Sequence, residues 1–280
     1  RYSDVTSAVG IVSILIAATR ALTNCPSQCV CEDNSIVCSC ESTPFSKLVI
    51  SSLGGTYVSS FTVHSCATVF VANDSFAGVV LSDRLEFFSI GRLTFEPYAF
   101  RNILQSPKQL VINKCSLPVI LPYTFTGLSH MQHLWFRNST IDKLSTHAFY
   151  HLTHVTYLYF RDVSFKNIER KAFGKMYSIG HLFLGGSIRI ESSDSFLFAA
   201  SSVEELLMEG VVGQLDEAFL LDASIQLATI RNSAVQMDSR GPATVESPYL
   251  THSTTTHQSS LHMTNVTMSS LVPQLMVHFG

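Results

Sequence analysis

The chain has 280 residues, a formal net charge of −3, 46% hydrophobic residues and 14% charged residues. A chain of this length and composition can bury a large core. Its small negative charge gives no electrostatic basis for binding nucleic acid or an anionic membrane.

An apolar run, AVGIVSILIAA, occupies residues 8–18 and is followed by small residues. The run is too short to span a bilayer, and it predicts a secretory signal peptide in residues 1–21 that is cleaved near Ala21. Because the chain begins with Arg rather than Met, we expect the start of this signal to be missing. A buried hydrophobic segment is the alternative.

A repeated pattern organises most of the sequence. Its units are 22 to 25 residues long and begin at Phe61, Leu85, Leu110, Leu134, Leu158, Leu182, Leu206 and Ala228. Self-similarity at this period predicts a solenoid, in which stacked units share one core because no unit can bury its apolar side alone. We assign residues 49–237 to these repeats.

Each unit begins with two apolar residues that are two positions apart, such as Leu134 and Phe136. This spacing predicts a short strand with one buried face. The later apolar positions are too irregular for one helix, so we predict a strand, a turn and a return segment. A phenylalanine holds the same place in five consecutive units: Phe76, Phe100, Phe125, Phe149 and Phe173.

The unit resembles the extracellular leucine-rich repeat family, with its pattern LxxLxLxxNxLxxLxxxxFxxLxx. The resemblance implies an α/β solenoid: a horseshoe with short parallel strands on its concave face and irregular or short helical return segments. The family's Asn, which hydrogen-bonds neighbouring coils, is replaced by Cys66, Ile90, Cys115, Ser139, Val163 and Ser187. Because Ile and Val cannot make these hydrogen bonds, we expect a less regular ladder.

Five cysteines precede the repeats, at positions 25, 29, 31, 38 and 40. Residues 25–48 resemble the cysteine-rich N-terminal cap of the same family, whose role is to cover the first coil. The resemblance implies the disulfides Cys25–Cys31 and Cys29–Cys38, and leaves Cys40 without a partner. A zinc site is the competing interpretation, which the predicted secretion disfavours.

Two further cysteines, Cys66 and Cys115, occupy equivalent interior positions two repeats apart. Coils stack about 4.8 Å apart, so the two sulfur atoms would be about 10 Å apart. That distance is too long for a disulfide, and we therefore expect two buried free thiols.

The C-terminal part is less regular. Residues 238–260 are rich in Ser, Thr and Pro and are predicted to be an insertion or linker, while residues 261–280 restart the pattern as a partial repeat. No cysteine follows Cys115, so the family's C-terminal cap is absent and we expect a fragment. Three sequons predict glycosylation at Asn73, Asn138 and Asn265.

Catalytic signatures are not found. The sequence has no nucleophile elbow, phosphate loop, HExxH or dinucleotide-binding turn. His147, His151 and His154 fall on the return segment and are expected to be solvated rather than to bind a metal. We expect no enzyme activity, cofactor or metal.

Side chains that alternate with the buried ones form two outward columns. The first column is Thr62, Glu86, Val111, Trp135, Tyr159, Phe183, Leu207 and Thr229, and the second is His64, Phe88, Asn113, Arg137, Arg161, Gly185, Glu209 and Arg231. Aromatic residues beside Arg are typical of interface hot spots.

These columns predict a binding surface for an extracellular protein or peptide, on a protein that is secreted or faces the outside of the cell. The predicted contact residues are Trp135, Tyr159, Phe183, Leu207, Arg137, Arg161, Phe88 and Glu209. The alternatives are a structural protein that forms homodimers through the same stripe, and ordinary strand filling. A glycan on Asn138 would crowd one edge of the surface.

Overall fold

The computed structural model describes residues 25–26, 28–41, 47–191, 193, 197–198, 201–216, 223–238 and 260–268. The predicted signal peptide and the predicted insertion, apart from its two end residues, lie outside this part of the chain. The described residues form fourteen strands. They are β1 (Cys29–Glu32), β2 (Ser35–Ser39), β3 (Lys47–Ile50), β4 (Tyr57–Val71), β5 (Val80–Phe95), β6 (Gln109–Leu117), β7 (Ser129–Leu144), β8 (Thr153–Ile168), β9 (Tyr177–Gly185), β10 (Ile188–Ile190), β11 (Ser202–Glu209), β12 (Val211–Asp216), β13 (Ser224–Asp238) and β14 (Ser260–Met268).

The strand register confirms the repeat and the solenoid. Leu134 pairs in parallel with Leu110 on one side and with Leu158 on the other. The same register links every predicted first residue of a unit from Phe61 to Ala228. Ala228 then pairs with Leu261, so β14 stacks on β13 as a further coil.

Each coil turns from one strand face to the next at a residue in the left-handed backbone region. These corner residues have φ between 46° and 80° and recur once per coil: Ser65, Ser89, Lys114, Asn138, Asp162, Gly186, Gly210 and Asn232. The corner divides each coil into a first face, such as residues 133–137 of β7, and a second face, such as residues 139–144. Where Gly stands at the corner, the strand is interrupted, and β9 and β10 form two separate strands.

The third side of the coil is a return edge built from tight turns. These turns also stack, because the backbone N–H of Tyr98 donates to the carbonyl of Tyr123 at 3.2 Å, and that of Tyr123 donates to His147 at 3.0 Å. Both the strands and the turns therefore hydrogen-bond to the neighbouring coil.

A column of stacked phenylalanine rings fills the core beneath the return edge. Phe149 stacks on Phe125 at 5.0 Å and on Phe173 at 5.2 Å. The column also contains Phe76, Phe100 and Phe198, so it extends one coil beyond the five predicted positions. All six rings are fully buried.

The α/β class and the short helical alternative for the return segments are wrong, because the described residues contain no helix. The second face is instead a strand, in which buried residues such as Val163 and Phe165 alternate with outward ones such as Ser164. A horseshoe is concave because helices on one side are about 8–10 Å apart while strands on the other are about 4.8 Å apart. Here strands form both faces, so the reason to expect a concave face is removed.

Hydroxyl groups replace the family's Asn in part of the ladder. Ser139 Oγ accepts from the N–H of Cys115 at 3.1 Å and donates to the carbonyl of Arg137 at 2.6 Å. Ser233 makes the corresponding pair of bonds in β13. Ile90 and Val163 have no polar side-chain atom and therefore add no such bond to the ladder.

The assignment of Ser187 to this ladder is wrong. Arg161 lies opposite Gly185, whereas Ser164 lies opposite Arg189, so this coil contains one additional residue at the corner. The shift places buried Ile188 beside Val211, and leaves Ser187 exposed.

The N-terminal segment covers the first coil. The hairpin β1–β2 pairs in parallel with β4, and β3 pairs with the later half of β4. The structure contains the disulfides Cys25–Cys31 and Cys29–Cys38, the pairs that the resemblance implies.

The prediction that Cys66 is a free thiol is wrong, because it forms a disulfide with Cys40. The parallel register places Ser39 beside His64, so Cys40 reaches the corner one coil before Cys66, with a Cα–Cα distance of 4.9 Å. Cys115 lies two coils from Cys66, whereas the cap adds a coil directly beside Cys66 and supplies Cys40 from it.

We predict that the unfolded, unreduced protein contains one reactive thiol per chain. Six of the seven cysteines form disulfides, and Cys115 is buried and free. Burial raises the pKa of the Cys115 thiol to about 11, so the native protein is expected to resist alkylation at pH 8 and to react faster as the pH approaches 11. Mass spectrometry after iodoacetamide treatment measures this, and three adducts after unfolding would contradict the Cys40–Cys66 bond.

Candidate interaction surface

The first face aligns both predicted columns across the coils. Trp135 pairs with Tyr159, and Tyr159 with Phe183, in consecutive strands. Arg137 lies opposite Arg161 in the same register. A third column precedes these two, and it consists of His133, Tyr157, His181 and Glu205 on β7, β8, β9 and β11.

Six rings from three coils form one continuous set of contacts, which we call the aromatic face: His133, Trp135, Tyr157, Tyr159, His181 and Phe183. Along the coil axis, Trp135 meets Tyr159 at 5.8 Å and Tyr159 meets Phe183 at 5.5 Å, both edge to face. In the third column, Tyr157 stacks between His133 at 5.1 Å and His181 at 4.9 Å. Contacts within a strand, such as His133 with Trp135 at 5.0 Å, join the two columns.

The aromatic face is half-buried by its own packing. Burial raises the pKa of Tyr159 and lowers the pKa of His133. The positive charge of Arg137 lowers the pKa of His133 further. Two polar atoms, His133 Nδ1 and Trp135 Nε1, are buried without a hydrogen-bond partner. Unsatisfied buried polar atoms are unfavourable for folding.

Arg137 lies flat on the aromatic face. Its guanidinium carbon is 3.4 Å from the centre of the Trp135 ring, which is a close cation–π contact. Its pKa is lowered by burial and by the neighbouring Arg161. Among the described residues, no carboxylate forms an ion pair with Arg137.

The other predicted contact residues lie at the margins of the aromatic face. Leu207 follows Phe183 in the first column. Glu209 forms an ion pair with Arg231 at 3.0 Å, so its charge is already compensated. Phe88 lies two coils from Arg137 and packs near Lys114, with no ring contact to the aromatic face among the described residues.

The third column was missed in the sequence because it lies one position before each unit's first apolar residue. The signal was present: His133, Tyr157 and His181 are aromatic or heteroaromatic residues at a constant spacing of 24. The period-two alternation of the strand places this position on the same outward face as Trp135.

The histidines of the return segment are only partly solvated. His151 is exposed and His147 is half-buried beside Tyr123 and Tyr150. His154 is also exposed, but it lies at the start of β8 and not on the return segment as predicted. Burial lowers the pKa of His147, and Lys171 and Lys175 lower it further. No group of three or more potential metal ligands occurs in the part of the chain that the structure describes.

Two of the three sequon asparagines have described side chains. Asn73 and Asn138 are exposed, and Asn138 donates a hydrogen bond to Asn113 at 3.2 Å beside the aromatic face. Asn265 lies within β14, and its side chain lies outside the description. None of the described residues forms a helix that could cross a membrane.

Comparison with known proteins supports a leucine-rich repeat protein. Residues 93–226 match the model of the BspA type leucine-rich repeat region in six copies. No curated protein matches the chain. Leucine-rich repeats generally mediate protein–protein interaction, and the match indicates no enzymatic family.

Proposed function

We propose that this leucine-rich repeat protein binds a protein or peptide partner through its aromatic face. The observation that carries the proposal is the contiguous set of six rings across three coils with the Arg137 guanidinium on Trp135. Trp, Tyr and Arg are the residue types that dominate interface energetics. The two buried polar atoms without partners lower stability, and such local losses are typical of functional surfaces, so they support the proposal.

The size of the aromatic face favours a peptide or a narrow epitope. Residues 133–137 span about 13 Å along the strand, and three coils span about 15 Å including side chains, so the flat area is about 200 Å². A stable protein interface covers about 800 Å² on each partner. The aromatic face is therefore the centre of a larger contact or the whole site for a short peptide, and it is too small to hold two copies together alone.

We further propose that the protein is secreted or exposed on the cell surface. Three disulfides, Cys25–Cys31, Cys29–Cys38 and Cys40–Cys66, form in oxidising compartments and are rare in reducing ones. The signal-like segment in residues 1–21 and the exposed sequon residues Asn73 and Asn138 support the same location.

Selection from a random dodecapeptide library tests the binding site. We expect peptides selected on the wild type to lose at least tenfold in affinity for Trp135→Ala/Tyr159→Ala, because truncating two central rings removes the main apolar contact. Tyr98→Ala/Tyr123→Ala is the matched control: it also removes two contacting rings, but on the return edge. Circular dichroism and urea unfolding verify that all variants fold.

Three outcomes would contradict the proposal. Selection could yield no peptide, the Trp135/Tyr159 variant could bind as well as the wild type, or the return-edge variant could lose the same affinity. Sedimentation tests the alternative. If the wild type and the control are dimers and only the Trp135→Ala/Tyr159→Ala variant is a monomer, the aromatic face serves self-association instead of peptide binding.

A further inference from the structure

We infer that the partner is an acidic peptide segment that places an Asp or Glu carboxylate between Arg137 and Arg161. This inference rests on the proposed function and specifies the chemistry of the partner. Its starting point is the register of β7 and β8, in which the two arginines lie directly opposite each other. Like charges in directly opposed positions destabilise a sheet.

The arrangement is an exception to the way in which the chain pairs charges between coils. Elsewhere, four described pairs of Lys or Arg with Asp or Glu link neighbouring coils through opposite charges. These described pairs are Arg101–Asp74, Lys143–Glu169, Lys166–Asp142 and Arg231–Glu209. Arg137 and Arg161 thus form a pair of like charges beside the aromatic rings, in which, among the described residues, only Arg161 contacts a carboxylate, that of Asp162.

The nearest acidic side chains already have other hydrogen-bond or ion-pair partners. Glu86 forms an ion pair with Arg84 at 3.0 Å. Asp162 Oδ1 accepts a hydrogen bond from the N–H of Ser187 at 2.8 Å, and its Oδ2 lies 3.8 Å from Arg161 Nε, which is a weak contact. Arg161 remains 67% exposed. An external carboxylate can therefore reach it.

Stacking prepares Arg137 for such a ligand. At 3.4 Å from the ring centre the guanidinium must place its flat side on Trp135, because a nitrogen aimed at the ring would collide with it, so its N–H donors lie in a plane roughly parallel to the ring. A carboxylate approaches in that plane, so the cation–π contact and a charge-assisted hydrogen bond can exist together. Holding the side chain on the ring also reduces the entropy lost when the ligand binds.

The spacing of the two columns adds a sequence requirement for the partner. Trp135 and Arg137 are two residues apart on one strand, which is about 6.6 Å. An extended peptide that runs along the strand direction presents residues i and i+2 on the same side with this spacing. The partner is thus expected to contain an apolar residue two positions from the acidic one. A carboxylate occurs in unmodified peptides, so no modification of the partner is needed.

The same dodecapeptide library tests the inference. Peptides selected on the wild type are expected to be enriched in Asp or Glu two positions from an apolar residue. Replacing that acid by Asn or Gln in a selected peptide is expected to weaken binding to the wild type about tenfold, because one charge-assisted bond is lost. Against Arg137→Gln/Arg161→Gln the same change is expected to alter affinity less than twofold.

The control variant is Arg92→Gln/Arg189→Gln, which removes two exposed arginines from the second face and equals the first variant in charge. It is expected to retain the preference for acidic peptides. The fluorescence of Trp135, the only tryptophan, provides a second readout, because a carboxylate bound to the guanidinium on its ring changes the electrostatic environment of the ring. Selected peptides that contain no Trp are used for this measurement.

The outcomes separate this inference from the proposed function. Two outcomes would overturn the inference alone, with binding still dependent on Trp135 and Tyr159. In the first, the selected peptides show no preference for an acidic residue. In the second, the Arg137→Gln/Arg161→Gln variant retains that preference. Loss of the preference in the Arg92/Arg189 control would show a general charge effect and would also overturn it. Failure to select any peptide would overturn both.

Discussion

The substitution Phe149→Ala is expected to lower the free energy of unfolding by about 4 kcal/mol. Phe149 is fully buried, stacks on Phe125 and Phe173, and meets Phe136 and Phe160 edge to face. Removing the ring loses its transfer free energy and leaves a cavity between three coils. Urea unfolding followed by circular dichroism measures the change as a lower midpoint.

Phe183→Ala is the matched comparison, because the same side chain is truncated on the half-buried aromatic face. Its expected loss is about 1 kcal/mol, since a truncation at a half-exposed position leaves no enclosed cavity. Equal losses for both variants would contradict the assignment of Phe149 to the core. The contrast also separates residues that hold the solenoid together from residues that are available to a partner.

The repeat could be predicted because its signal is cumulative. Leu134, Phe136 and Phe149 each recur in several consecutive units, and a position that must face a shared core is restricted in every coil. The register of all eight predicted units therefore followed from the sequence. Neighbouring coils repeat the same pairing, so one correct alignment fixes the others.

The second face could not be derived in the same way. Buried residues such as Ser139 and Ile141 alternate there with outward residues, but only two or three buried positions follow each other in this way. Such a short run does not distinguish a strand from an irregular segment. The corners give even less signal, because Lys114 and Ser89 adopt the left-handed region although Gly and Asn favour it. Stacked hydrogen bonds from adjacent coils outweigh this local preference.

The candidate surface was predicted in its columns but not in its contacts. Alternation along the strand is enough to place Trp135, Tyr159 and Phe183 in one line. The position of the Arg137 guanidinium on Trp135 depends on a side-chain rotamer and on the pairing of the nearby Glu86 with Arg84, and neither is encoded in spacing. For the same reason, the sequence did not show that Glu209, a predicted contact residue, forms an ion pair with Arg231 and so has no free charge to offer a partner.

Loss of the Cys40–Cys66 disulfide is expected to lower the free energy of unfolding by about 3 kcal/mol. The bond closes a loop between residues 26 positions apart, and it joins the cap to the first full coil. The double variant Cys40→Ala/Cys66→Ala removes the bond without leaving a reactive thiol. Urea unfolding measures the stability, and hydrogen exchange is expected to increase first in β2 and β4, where the cap covers Phe61 and Val63.

Cys115→Ser is the control for this variant, because it changes a buried cysteine that forms no disulfide. Cys115 Sγ donates to the carbonyl of Asn113 at 3.3 Å, and Ser139 makes the equivalent bond in the next coil, so a hydroxyl can replace the thiol with a loss below about 1 kcal/mol. Equal stability of the double variant and the wild type would contradict a structural role for the Cys40–Cys66 bond. If hydrogen-exchange protection is lost only in the cap and the first coil, the rest of the solenoid remains folded when its covered end opens. This is the expected result, because each coil contacts only its neighbours.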